Sequence, residues 1–182
     1  MILIVDMNWK KDSLGYFEFV LPIASIAQEL EEYSVKHYGE VADQDIRNCS
    51  RIILSGTALK DNVTLGRPEK FRWIKTANKP VLGICAGMQT IGVVYGAYLP
   101  KCLEIGMTQI TTLTSNPLFS EPFGAYSLHN YSVEVSEDFE ALAESAKCIQ
   151  AIKHKQRPIY GVLFHPEVRN KEILRRFIKL EM

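Results

Sequence analysis

A chain of 182 residues, 47% hydrophobic and 23% charged, is long enough to bury one substantial core and short for two. Its 21 basic and 21 acidic side chains cancel to a formal net charge of +0, which provides no long-range field for a polyanion and argues against nucleic acid as the main partner. No run approaches the roughly 20 apolar residues of a membrane span, and no basic leader with a cleavage pattern opens the chain. Cys49, Cys85, Cys102 and Cys148 are scattered and form no Cys-x-x-Cys pair or zinc-type Cys/His spacing. The expectation is one cytoplasmic domain over residues 1–182, with no membrane segment, no metal and no cofactor.

The elements follow in chain order. Ile2 to Val5 reads as a buried strand. Tyr16 to Tyr33 carries Phe19, Ile23, Ile26, Ala27 and Leu30 at helical spacing. Pro22 predicts that this helix begins near it, because proline is tolerated in a first turn. Arg51 to Gly56 is a second β-branched run closed by a turn residue, and Glu69 to Ala77 reads as helical. Pro80 to Ile84 is a third buried strand that leads straight into a helix over Ala86 to Val94. Met107 to Leu113 and Tyr131 to Val135 alternate as antiparallel strands do, with Asn116-Pro117 in a loop. Ile159 to Phe164 is a further strand, and Lys171 to Leu180 an amphipathic helix. Continuous apolar strands separated by helices predict an α/β fold with an open, mostly parallel, doubly wound sheet. Helices cover both of its faces, and a small antiparallel insertion completes it.

The most informative segment is Gly83-Ile84-Cys85-Ala86-Gly87-Met88-Gln89, at a strand-to-helix junction. Gly-x-Cys-x-Gly is the thiol form of a nucleophile elbow. A tight turn there lifts the side chain above the carboxyl edge of the sheet, where ligands bind in such folds, and the helix amides favour a thiolate. Most buried cysteines are no more than small apolar fillers. The elbow context separates Cys85 from the other three.

A thiol nucleophile needs a base. Of the four histidines, His165 follows an apolar strand in Phe164-His165-Pro166-Glu167, which puts its ring at the same carboxyl edge. Pro166 keeps this stretch extended, so His165 and Glu167 point to one side and the carboxylate fixes the imidazole tautomer. Ser55-Gly56-Thr57 also follows a strand at that edge, and an amide of Gly56 or Thr57 can join the amide of Ala86 in facing an oxyanion. No Gly-Lys-Ser/Thr follows, so this is not a phosphate loop.

The three segments, in this order, resemble the class I, triad-type glutamine amidotransferases over almost the whole chain. The last third, from Cys148 through His165-Pro166-Glu167-Val168 to Phe177, is most similar to the glutaminase subunits of archaeal-type GMP synthases. The resemblance implies that Cys85 attacks L-glutamine, that His165 shuttles the proton, and that Glu167 orients His165. It further implies that Gln89 and the stretch Leu128-His129-Asn130-Tyr131 hold the substrate. The implied partner is an ammonia-accepting synthetase, first of all the ATP-pyrophosphatase subunit of GMP synthase. The loops Trp9 to Asp12 and Lys60 to Arg67 are candidate docking points over the carboxyl edge. Where such subunits carry Ser-Gly-Gly-Pro, this chain has Ser55-Gly56-Thr57-Ala58. A Cβ at Thr57 makes a positive φ costly, which predicts an oxyanion hole that forms only after a backbone flip. The alternatives are the amidotransferase of anthranilate or aminodeoxychorismate synthesis, a γ-glutamyl hydrolase, and a catalytically silent binding module.

Overall fold

The structure is a computed structural model that describes residues 1–181. Nine strands form one sheet: β1 (Ile2–Asp6), β2 (Tyr33–His37), β3 (Arg51–Leu54), β4 (Val81–Ile84), β5 (Lys101–Thr112), β6 (Phe123–Tyr131), β7 (Phe139–Glu144), β8 (Ile149–His154) and β9 (Ile159–Val162). Their order is β2-β1-β3-β4-β9-β8-β7-β5-β6. The β2-β1-β3-β4-β9 half is parallel. The remaining strands pair antiparallel, and β8 runs against β9, so the antiparallel half continues the main sheet. It holds four strands and is larger than the small insertion expected.

Burial explains the parallel half. Every residue of β1, β4 and β9 is buried, as befits strands covered on both faces. One face packs against α1 (Leu21–Gln28) and α4 (Lys171–Ile178) through Ile23, Ile26, Leu174 and Phe177. The opposite face packs Phe71, Ile74, Met88 and Ile91 against Leu3, Val5, Ile52 and Leu54. Those side chains come from a 3₁₀ segment, Pro68–Lys75, and from α3 (Ala86–Val94); the short α2 (Asp43–Asn48) adds Ile46.

The local readings differ from the structure in instructive ways. The first helical stretch starts as a π-helical segment, Tyr16–Val20, and α1 then ends at Gln28, where β2 needs the chain. The segment read as helix over Glu69 to Ala77 winds as 3₁₀. The strand read over Tyr131 to Val135 lies just past β6, where Ser132 and Glu134 donate to the Pro100 and Tyr98 carbonyls without forming a strand of their own.

Candidate active site

β4 delivers Cys85 and α3 begins immediately after it. The Cys85 amide donates to the Val162 carbonyl at 2.8 Å, which carries the β4–β9 ladder one residue past the strand. Its backbone then turns through φ 49°, ψ −104°, a region costly for any residue with a Cβ. The two flanking glycines make that turn possible. A Cβ on Gly83 would lie 2.5–2.6 Å from backbone atoms of Gly87 and Met88, and one on Gly87 would lie 2.6 Å from the Leu54 carbonyl oxygen. The glycine spacing read from the sequence is thus a packing requirement between β4, α3 and the end of β3.

His165 lies three residues beyond β9, in a turn in which its carbonyl accepts from the Val168 amide. The expected extended geometry is absent. The turn still brings His165 Nδ1 to 2.7 Å from Glu167 Oε1, with both side chains buried. Burial alone would lower the imidazole pKa. The Glu167 carboxylate with its hydrogen bond and the neighbouring Cys85 outweigh it, and the pKa is raised well above the ordinary value, while His165 Nε2 has no hydrogen-bond partner among the described residues. The ring also leans on Phe19, with centroids 5.5 Å apart.

Gly56 joins these groups. A Cβ placed on it would lie 2.5 Å from His165 Cε1 and 3.5 Å from Cys85 Cβ. The backbone read as one side of an oxyanion hole therefore passes directly over the cysteine–histidine pair. Ser55 fixes this turn, since its hydroxyl accepts from the Met7 amide and donates to the Gly56 carbonyl. The amides of Gly56, Thr57 and Ala86 donate to no acceptor among the described residues. Thr57 does not take the positive φ that would have strained it. Its hydroxyl donates to the Asp61 carbonyl at 2.8 Å, which folds the Thr57–Asn62 loop over the site. The Trp9 amide, from the loop after β1, donates to Asp61 Oδ2 at 2.7 Å and so links the two loops considered for docking.

The cleft beside Cys85 is lined by Thr57, Ala58, Leu59, Asn62, Gln89, Leu128, His129 and Asn130. Only about 10 Å³ in it is open to water centres, close to the threshold for one water molecule. Larger depressions lie elsewhere, such as one between Asp43, Arg47, Trp73 and Lys79. They contain neither Cys85 nor His165, and the chemistry stays with the small cleft.

The residues that the resemblance assigned to glutamine divide into two groups. The Leu128 carbonyl accepts the Cys85 thiol at 3.4 Å, and Asn130 lines the cleft. Gln89 lines it too, but its amide nitrogen is engaged with the Tyr131 carbonyl at 2.8 Å. Tyr131 is absent from the lining. The polar atoms of His129 are turned away: Nδ1 meets the Cys102 carbonyl oxygen at 3.0 Å and Nε2 meets Glu104 Oε2 at 3.2 Å. Burial lowers the pKa of this imidazole, against the opposing pull of Glu104. The alternation of β6 explains the division, because Ser127 and His129 point to the buried side and Leu128 and Asn130 to the other. Sequence reading missed Asn62 and the polar group behind His129. Asn62 stood in no motif, and the group is assembled from three separate strands.

A cysteine on a strand–helix elbow beside a buried histidine–carboxylate pair defines an α/β fold arranged for thiol-based acyl transfer. Residues 20–182 match the family model for glutamine amidotransferase class-I. A subunit of the glutamine-hydrolysing GMP synthase of Methanococcus maripaludis is 35% identical, over 92% of this chain and 87% of that protein. The corresponding subunit from Thermoplasma acidophilum is 31% identical over 76% of each chain. That of Methanocaldococcus jannaschii is 41% identical over 57% of this chain and 61% of its own length. Among solved structures, a Thermoplasma acidophilum protein described as a GMP synthase subunit superposes with a TM-score of 0.82. It is 27% identical, over 98% of this chain and 92% of that one. A glutamine amidotransferase from Thermotoga maritima, 19% identical over 98% and 81% of the two chains with a TM-score of 0.70, shares the fold. The chain belongs to the class-I glutamine amidotransferase family.

Proposed function

We propose that this chain is the glutaminase subunit of a GMP synthase, folded as one unit over residues 1–182 and working in the cytoplasm. Among the described residues no helix is long and apolar enough to cross a membrane. The observation that carries the reading is the 2.7 Å His165–Glu167 contact directly beside the strained Cys85 elbow. Cys85 Sγ attacks the side-chain carboxamide carbon of glutamine. The resulting oxyanion is received by the amide of Ala86 and by that of Gly56 or Thr57, all of which lack acceptors within the described chain. As the S–C bond forms His165 takes the thiol proton, Glu167 stabilises the resulting imidazolium, and that proton passes to the leaving nitrogen as the C–N bond breaks and ammonia departs. His165 then takes a proton from the water that cleaves the glutamyl thioester, and glutamate leaves.

Ammonia released here needs an acceptor site to consume it. The GMP synthase relatives named above are subunits, and we assign the acceptor as the ATP-dependent synthetase subunit that aminates XMP. Trp9, 65% exposed, stands on the loop tied to Asp61 over the cleft, and Leu14 and Phe17 further along the chain are exposed as well.

The test is release of glutamate from glutamine, with and without the synthetase subunit, followed by glutamine-dependent formation of GMP by the pair. Folded protein that releases no glutamate in either setting refutes the glutaminase reading. Glutamate without GMP refutes the assigned pathway alone. Gly56→Ala provides a separate check on the site. Its methyl must push His165 away from the 2.5 Å approach, and a displacement of that size costs about 10²-fold in activity. The expected loss is in kcat/KM, with an unchanged far-ultraviolet circular dichroism spectrum.

A further inference from the structure

Behind the candidate active site, three strands bring together a group of side chains that the glutaminase chemistry does not use. Cys102 and Glu104 stand two apart on β5. His129 on β6 is the register partner of Glu104. Cys148 and Gln150 come from the start of β8 and the residue before it. One ligand atom each from Cys102, Glu104 and His129 lies within 4.8 Å of the others. Cys148 Sγ is 3.6 Å from Glu104 Oε2, and its thiol also adjoins that of Cys102. Both cysteines are free.

The hydrogen bonding of this group is incomplete in a specific way. The Cys102 carbonyl can only accept, so at 3.0 Å it fixes the proton of His129 on Nδ1. The other ring nitrogen, Nε2, faces Glu104 Oε2 at 3.2 Å and Gln150 Nε2 at 3.4 Å. That oxygen already accepts from Gln150 Nε2 at 2.6 Å and from Ser145 Oγ at 3.2 Å. The carboxylate, the imidazole and the amide thus share one buried space, where unmet polar groups are costly. In addition, Gln150 Oε1 belongs to a fully buried side chain and has no partner among the described residues. The arrangement calls for an electropositive centre among these atoms.

We propose that Cys102, Glu104, His129 and Cys148 form a binding site for a divalent transition metal of the zinc type. Two thiolates, an imidazole nitrogen and a carboxylate are the donor set that such an ion prefers over calcium or magnesium. Cys102, Glu104 and His129 already converge, and Cys148 approaches from the side of Glu104; with all four engaged no position stays open, which makes the site structural. The Nδ1–carbonyl bond is the outer contact that typically orients a ligating histidine with Nε2 toward the metal. On binding, each thiol gives up its proton to solvent, the two sulfurs coordinate as thiolates, and no electron is transferred. The ion would fasten β5, β6 and β8 one residue away from Leu128, whose carbonyl holds the Cys85 thiol. No compact linear motif announces such a site, because its ligands come from β5, β6 and the residue before β8. The proposal does not depend on the glutaminase reading.

The test uses the full-length chain, stripped with a chelator under a phosphine reductant and titrated with cobalt(II) as a spectroscopic probe. The expected result is one cobalt per chain with a thiolate-to-cobalt charge-transfer absorption, displaced by zinc. The absorption persists in Cys85→Ala, weakens in Cys148→Ala and disappears in Cys102→Ser. Zinc at about 100 times its Kd should raise the melting temperature by roughly 5–10 °C. Should Cys102→Ser fail to fold, His129→Gln serves in its place, with the same loss of tight binding expected. Cobalt that keeps its aqueous spectrum overturns the proposal. So does a charge-transfer absorption that vanishes in Cys85→Ala yet survives in Cys102→Ser and Cys148→Ala.

Discussion

Cys85→Ala is expected to remove glutamine hydrolysis by about 10⁴-fold or more while the chain stays folded, because loss of a nucleophile leaves only binding and oxyanion contacts. Glutamate release measured beside a thermal melt checks both halves of this expectation. The elbow adds a second arm. Alanine keeps a Cβ at φ 49° and keeps the strain, whereas glycine relieves it. Cys85→Gly should therefore melt no lower than Cys85→Ala, although glycine at an ordinary position lowers a melting temperature. Unchanged turnover in either variant would assign the nucleophile elsewhere.

Glu167→Gln should reduce kcat by about 10²- to 10⁴-fold, short of the loss in Cys85→Ala, because Glu167 orients and charges His165 without touching substrate. Its effect on stability should depend on pH in a defined direction. The folded His165 pKa lies above the unfolded value of about 6.5. The stabilisation is complete below that unfolded value and is lost as pH rises through the raised folded one. Without the carboxylate, burial dominates and the folded pKa falls. The variant should therefore be less stable than wild type by about 1–3 kcal/mol near pH 6. The gap should narrow at alkaline pH, as read from denaturant midpoints across the range. A gap that widens with pH would mean that Glu167 does not support an imidazolium.

The elbow could be read from sequence because its requirement is local: two glycines, two residues either side of a cysteine, are dictated by contacts that fall within one turn and one neighbouring strand. The parallel strands were legible for a similar reason, since burial on both faces leaves an unbroken apolar run. β2 escaped notice. It is an edge strand, half-buried along its whole length, and Tyr33-Ser-Val-Lys-His37 offers no such run. β7 escaped too, because Phe139-Glu-Ala-Leu-Ala-Glu144 is poor in β-branched residues and is a strand only through its ladder with β8. The His165–Glu167 pair was expected to meet through an extended backbone and meets through a turn, so the contact was legible and its cause was not. His129 shows the limit of motif matching. The resemblance supplied its place in the chain, while the pleat of β6 decided which way its ring faces.

The cleft over Cys85 is narrow, with room at its centre for little more than one water, and a glutamine side chain is bulkier than that. Substrate entry must spread the Thr57–Asn62 and Leu128–Asn130 walls, so admission to the site depends on their movement as well as on its shape. A search for inhibitors that held this geometry rigid would reject glutamine itself.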